Sequence, residues 1–144
     1  MMARPAFINL WNNYPAESQP CDGGWENQCA IRLSITLNAE RSILVDGHTY
    51  SEPRCSHGHA RGAESLANWL WRQHLGRPSI FTDAAKAKLQ LNEKNGIIFF
   101  KDCFTRSGES RAAGDHIDLW SRGFTKTYDD PANHSAQVWF WELS

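Results

Sequence analysis

The sequence has few of the features that mark specialised protein classes. Its four cysteines in 144 residues are too few for a disulfide-built scaffold. It contains no apolar run long enough to cross a membrane, so we expect no membrane partner. Its 15 basic and 16 acidic residues give a net charge of −1, which argues against a protein built to neutralise nucleic-acid phosphates. The composition is that of an ordinary globular protein, and we interpret residues 1–144 as one domain.

The start of the chain also lacks a recognisable feature. Its first residues, MMARPAFINLW, have no continuous apolar core of the kind found in a signal peptide, so we expect synthesis in the cytoplasm and no ordinary export. Prolines and a Gly23-Gly24 pair predict little regular structure before residue 25. Within this region we predict that Phe7–Tyr14 forms a short strand or a loop packed beside a cleft.

The cysteines leave two structural alternatives. A Cys21–Cys55 disulfide is conceivable because both residues lie in loop-like sequence, and the sequence leaves this pairing open. Cys55, His57 and His59 alternate along the chain, so with Cys21 they would offer four ligands to zinc. Structural zinc ligands are usually separated by two to four residues, which this cluster does not match. We therefore predict a surface loop here and no metal.

The remaining pattern predicts helices first and an antiparallel sheet last, which defines an α+β domain. The clearest helix is Ala63–Leu75, ended by Gly76. A second helix is predicted over Asp83–Leu91 with Thr82 as its N-cap, followed by an Asn95-Gly96 turn. Three runs rich in β-branched and aromatic residues predict strands: Ile97–Phe104, Asp115–Trp120 and Gln137–Leu143.

The sequence contains seven tryptophans, an unusual number for its length. Large rings most often fill a core, and we expect most of these to do so. The alternative to a core role is that the rings form the surface of a non-catalytic module that binds cell-wall glycan. It requires Trp69, Trp139 and Trp141 to lie exposed in one row.

Cys29 and His116 are the candidate nucleophile and base of a thiol hydrolase. Such an enzyme needs a thiolate, and an imidazole that takes its proton and later protonates the leaving amine. A thiol at a helix start would be favoured as an anion, and the N–H groups there, with the side-chain amide of Asn27 or Gln28, would form an oxyanion hole. The alternative is that Cys29 and His116 only pack in the core. Three carboxylates are candidates for orienting the imidazole: Asp118, Asp129 and Asp130.

Four segments together resemble the type VI secretion system amidase effectors of family 4. In chain order they are WNNYP at Trp11–Pro15, NQCAIRLS at Asn27–Ser34, GIIFFKD at Gly96–Asp102 and GDHIDLW at Gly114–Trp120. The resemblance implies a papain-like fold of the NlpC/P60 type, in which the catalytic cysteine opens a helix packed on an antiparallel sheet. It also decides the structure of Cys29–Asn38, whose apolar alternation by itself slightly favours a strand. We predict a helix there.

The same resemblance implies a function. It implies a cysteine peptidase, without a cofactor, that hydrolyses the γ-D-glutamyl–meso-diaminopimelate bond of peptidoglycan stem peptides. Such an effector is delivered by the type VI secretion machinery into the periplasm of rival Gram-negative cells. The producing cell holds a cognate periplasmic immunity protein.

Residue by residue, the resemblance assigns Cys29 as the nucleophile and His116 as the base. The third member in the family is an acidic residue shortly after the histidine strand, and we predict Asp129 for this position. Asp130 and Asp118 remain the alternatives, because Ser121-Arg122-Gly123 departs from the Asn-Gly pair expected there. We also predict substrate contacts from two residues beside the nucleophile, Trp25 and Gln28.

Overall fold

The structure is a computed structural model that describes residues 4–15, 28–52, 54–55, 58–60, 62–104, 114–126 and 135–144. These residues form a mixed α/β domain built on one antiparallel sheet. The helices are α1 (Phe7–Asn13), α2 (Cys29–Glu40), α3 (Ala63–Leu70) with a π-helical turn at Trp71–Leu75, and α4 (Ala84–Gln90). The strands are β1 (Ser79–Phe81), β2 (Asn95–Phe104), β3 (Gly114–Ser121), β4 (Phe124–Thr125) and β5 (Gln137–Glu142). Within the described ranges, no helix is long and apolar enough to span a bilayer.

The sheet has the strand order β1-β5-β2-β3-β4, and each neighbouring pair is antiparallel. The two long strands are paired, since β2 and β3 run side by side from Asn95–Ser121 to Phe100–His116. A register shift follows between Phe100 and Phe104. This pairing places His116 in the interior of the sheet.

Each face of the sheet is covered by a different set of helices. One face carries alternate residues, including Phe99, Ile117 and Trp139, and belongs to the same core as buried residues of α1, α2 and α3. The other face carries Ile98, Phe100 and their neighbours, packed with apolar residues of α4. Burial on both faces explains why the strands read as continuous apolar runs rather than as an alternation of apolar and polar residues.

The stretch after Cys29 is the helix α2, as predicted, although its sequence alternates like a strand. The alternation arises because α2 is buried on more than one side. Leu33 and Leu37 lie in the main core, whereas Ile31 contacts Cys55 on another side. The backbone N–H of Ala60 donates to Ser34 Oγ at 3.1 Å, which holds the chain near Cys55 and Ala60 against the helix. A two-sided helix shows no clear 3.6-residue stripe.

The prediction of a strand or loop at Phe7–Tyr14 is wrong, because the residues from Phe7 to Asn13 form α1. Phe7 and Leu10 are its buried residues, three positions apart on one helical face. The helix is held by distant partners, since Ala6 N–H donates to Glu40 and Phe7 N–H to the Ser144 carbonyl. Such long-range bonds leave no local signal in the sequence.

The two later helices follow the prediction closely. The helical run from Ala63 continues through the π-helical turn to Leu75 and ends at Gly76, whose φ of 75° suits glycine. The predicted N-cap of α4 is wrong by one residue: Asp83, not Thr82, accepts the hydrogen bond from Lys86 N–H at 3.1 Å. Asn95-Gly96 begins β2 rather than forming a separate turn.

The tryptophans that a glycan-binding surface would expose are inside the protein. Trp69, Trp139 and Trp141 are each at most 6% exposed. Their indole N–H groups find internal partners: the Thr49 carbonyl, the Gln137 side chain and the Gly76 carbonyl. The alternative function as a tryptophan-based glycan-binding module is therefore contradicted at the residues it needs.

Candidate active site

Cys29 is the first residue of α2, and its side chain is only 2% exposed. Gln28 precedes it as the N-cap, with φ −106° and ψ 26°, and is itself buried. The Gln28 carbonyl accepts the first helical bond, from Arg32 N–H at 2.9 Å. The N–H groups of the first turn have no carbonyl partner within the helix, and the positive end of the helix dipole lies there. The sulfur therefore sits in a backbone environment that favours negative charge.

His116 lies in the middle of β3, directly opposite Phe100 of β2. The two rings are nearly parallel, at 13°, with centroids 6.2 Å apart. The imidazole is 1% exposed, so its position is set by packing and not by solvent. The strand pairing and the Phe100 ring together restrict how the imidazole can turn.

Cys29 and His116 are brought together although 86 intervening residues separate them in sequence. The electrostatics of the site couple the sulfur of Cys29 to the imidazole of His116. Burial alone would lower the pKa of His116, but Cys29 and the bond to Asp118 outweigh burial and raise this pKa to about 9. His116 is thus held as an imidazolium next to the sulfur.

Asp118 occupies the other side of the ring. Its Oδ2 lies 2.8 Å from His116 Nε2, and the carboxylate is fully buried. Its Oδ1 accepts two backbone N–H bonds, from Leu119 at 2.7 Å and from Lys126 at 3.2 Å. With one oxygen held by the backbone and the other on the imidazole, this carboxylate has a fixed orientation.

Together these three groups make a chemically coherent arrangement. A sulfur at a helix start, a protonated imidazole and a buried carboxylate are the parts that nucleophilic thiol chemistry needs. Because Nε2 faces Asp118, Nδ1 is the ring nitrogen left to exchange a proton with the sulfur. The low exposure of all three groups strengthens the interactions among their charges.

Several predicted site residues fall outside the described part of the chain. These are Trp25, Asn27, Asp129 and Asp130. Their predicted roles stay predictions. Of the three candidate carboxylates, the structure describes only Asp118, and it places this one against the imidazole.

Sequence reasoning missed two contributors to this site. The first is Phe100, whose contact with His116 depends on the register of β2 against β3. The second is the backbone N–H of Lys126, which reaches Asp118 only because the chain turns back after β3. The i, i+2 spacing of His116 and Asp118 was visible in the sequence and was the one usable signal.

The other cysteine–histidine cluster is only partly described. Cys55 Sγ lies 3.8 Å from His59 Nδ1, while His57 and Cys21 lie outside the described residues. The Cys21–Cys55 disulfide therefore stays untested. Among the residues that the structure covers, no group of three histidine, cysteine or acidic side chains is arranged to hold a metal ion.

Comparisons with known proteins agree on one family. Residues 25–141 match the family model for type VI secretion system (T6SS) amidase effector protein 4, Tae4. The fold is similar to the Tae4–Tai4 effector–immunity complex of Salmonella Typhimurium, with a TM-score of 0.75, 20% identity, and coverage of 99% of this chain and 100% of that chain. Tae4 from Enterobacter cloacae gives a TM-score of 0.74 and 21% identity, covering 99% of each chain. A comparison with curated proteins gives no match.

Proposed function

The chain belongs to the family of type VI secretion system amidase effector protein 4, and from this premise we propose that it hydrolyses an amide bond of peptidoglycan through a thioester on Cys29. The observation that supports the proposal is that one buried imidazole, that of His116, is bonded to Asp118 and coupled electrostatically to Cys29. It supplies a nucleophile, a proton carrier and an orienting charge in one place.

The proposed reaction has two halves. In the first, the Cys29 thiolate attacks the carbonyl carbon of the amide, and the negative oxygen that forms is held by N–H groups at the start of α2 and by the Gln28 side chain. The His116 imidazolium then gives its Nδ1 proton to the leaving amine, and the carbon–nitrogen bond breaks. In the second half, neutral His116 takes a proton from water and becomes the imidazolium again while the hydroxide attacks the thioester carbonyl. The carbon–sulfur bond then breaks, which releases the carboxylic acid product and the Cys29 thiolate.

We assign Asp118 to the orienting role in this scheme. Its bond to Nε2 fixes the ring and leaves Nδ1 as the nitrogen that would exchange a proton with the sulfur, and its charge favours the imidazolium. Asp129, the acidic residue predicted from the family resemblance, stays the alternative for this role. The two assignments differ in a testable way. Exchange of Asp118 for asparagine should greatly lower the rate if Asp118 orients His116, but not if Asp129 does.

The substrate we propose is the stem peptide of peptidoglycan, cut between γ-D-glutamate and meso-diaminopimelate by a papain-like cysteine endopeptidase of the NlpC/P60 type. Trp25 and Gln28 would contact this substrate. The route we propose is delivery by the family's type VI secretion system into the periplasm of rival Gram-negative cells. The solved Tae4 relatives include complexes with the immunity protein Tai4, and we propose a cognate immunity partner for this chain too.

The test is digestion of purified sacculi followed by mass spectrometry of the soluble muropeptides. The wild-type protein should release fragments whose new termini are γ-D-glutamate and diaminopimelate. Cys29→Ala should release none while keeping the wild-type circular dichroism spectrum. Cys55→Ala is the matched control, because it also removes a buried thiol but leaves the proposed nucleophile in place. Equal digestion of sacculi by Cys29→Ala and wild type would contradict the proposal.

A further inference from the structure

We infer that the hairpin formed by β3 and β4, held onto α1 by a contact between Lys126 and Trp11, positions the Asp118 carboxylate against His116. This inference rests on the proposed function, because it concerns how that site is aligned. It makes Lys126 and Trp11 positioning residues, since they act on the imidazole only through Asp118.

The hairpin brings the Lys126 backbone back to Asp118. Arg122 and Gly123 form its turn, with φ of 49° and 97°, and the positive φ at both residues is typical of a type I′ turn. Beyond the turn, Lys126 N–H points between two acceptors, the Leu119 carbonyl at 3.1 Å and Asp118 Oδ1 at 3.2 Å. The orientation of the carboxylate thus depends on where the end of this hairpin lies.

The hairpin by itself is a weak anchor. β4 has two residues and lies at the edge of the sheet, paired only with β3. A second contact fixes its end: Lys126 Nζ lies 4.3 Å from the centroid of the Trp11 ring, within the range of a cation–π interaction. Trp11 is half-buried against the main core and next to the Phe7 ring, so it offers a fixed surface. The side chain of Lys126 therefore ties its own backbone N–H in place.

Loosening this tie should affect the imidazole through Asp118. The Asp118 hydrogen bond is one of the causes that raise the pKa of His116. A less well held carboxylate spends less time in that bond, so the pKa of His116 should fall. The expected kinetic result is a lower kcat with little change in KM, because neither Lys126 nor Trp11 is proposed to bind substrate.

The experiment is a double-mutant cycle with Trp11→Leu, Lys126→Met and the double variant. Each single variant should lower kcat by about 3- to 10-fold, the range a cation–π contact can account for. The double variant should be no slower than the slower single variant. The alkaline limb of the pH–rate profile and the NMR titration of the His116 ring should both move to lower pH. Lys126→Arg, which keeps the cation, should behave like wild type.

Two controls match these changes at sites away from Asp118. Lys94→Met removes an exposed lysine whose partner is Glu142, and Trp71→Leu removes a half-buried ring that packs on Trp139. Both should leave the His116 titration unchanged. Additive effects in the cycle, or an unmoved His116 titration in Lys126→Met, would overturn the inference. The NMR titration does not depend on enzymatic activity. Failure of the proposed function would show instead as equal digestion of sacculi by Cys29→Ala and wild type, so the two failures are distinguishable.

Discussion

His116 Nε2 and Asp118 Oδ2 lie 2.8 Å apart although the two residues belong to the same strand. Side chains at positions i and i+2 of a strand point to the same face, so a short carboxylate can reach the neighbouring ring. Both groups are buried, and a buried charge that loses its partner is strongly destabilised. The pair therefore behaves as one unit, in which changing Asp118 changes what His116 can do.

Asp118→Asn should lower kcat by about 10²- to 10⁴-fold, by analogy with the loss of the orienting aspartate in a serine triad. The asparagine amide would donate to Nε2, so the neutral ring would carry its proton on Nδ1. Nδ1 could then no longer accept a proton from the thiol. The measurement is the initial rate of muropeptide release. Asp129→Asn is the matched control and should change the rate only a few-fold. A larger loss in Asp129→Asn than in Asp118→Asn would return the orienting role to Asp129.

The pKa of His116, raised to about 9, predicts how activity and stability depend on pH. The imidazolium is the proposed acid for the leaving amine, so activity should fall as the pH rises through about 9. A raised folded-state pKa also means that the contribution of His116 to stability is fully present below about 6.5 and is lost as the pH rises through about 9.

The cause of this shift can be tested with Cys29→Ser, which replaces the thiol with a hydroxyl that stays neutral over this pH range. The pKa of the His116 ring, measured by NMR titration, should drop towards its ordinary value because Cys29 is a principal raising influence. Urea unfolding at several pH values should show a smaller loss of stability between pH 6.5 and 9 than in the wild type. An unchanged His116 titration in Cys29→Ser would contradict the proposed ion pair.

How far the sequence predicts this molecule depends on how local each signal is. The strands around Phe99 and Ile117 and the helix beginning at Ala63 have strong local patterns, and their prediction is confirmed. Helix α1 was mispredicted because its N-terminal end is bonded to Glu40 and Ser144, far along the chain. Periodicity slightly favoured a strand for α2, because two-sided burial hides its helical stripe, and the family resemblance was needed to predict the helix.

The site shows the same limit. Cys29 and His116 were identified as a pair through motifs that carry the family resemblance, and the structure brings the two residues together. Asp118 was only one of three candidate carboxylates, since strand spacing alone does not show which oxygen meets the ring. The part played by Lys126 depends on the register of a two-residue strand, which no periodicity in the sequence encodes.

Thr36→Val should destabilise the protein by about 1–3 kcal/mol. Thr36 Oγ1 donates to the Leu10 carbonyl at 2.6 Å, in a buried position between α2 and α1. That carbonyl belongs to the last turn of α1, where the helix itself provides no donor, so valine would leave it buried without this bond. Urea unfolding measures the loss. Thr36→Ser keeps the hydroxyl and should cost less, so a larger loss in Thr36→Ser than in Thr36→Val would show that the methyl group, not the hydrogen bond, provides most of the stabilisation.

Gly96→Ala should be the most destabilising of these changes, by about 3 kcal/mol or more, at the upper end for overpacking. A Cβ at Gly96 would overlap the backbone carbonyl oxygen of Trp141 and lie 2.8 Å from the Phe140 ring. A backbone atom in the middle of the sheet cannot move aside without breaking the pairing of β2 with β5.

Gly62→Ala provides the comparison for Gly96→Ala, because the atom nearest to its added Cβ would be Ser65 Oγ at an ordinary 3.5 Å. It should cost no more than about 1 kcal/mol. Thermal and urea unfolding of both variants measure the difference. If Gly96→Ala were as stable as Gly62→Ala, the close approach of β2 and β5 at this position would be wrong, and with it the register of β2 against β5.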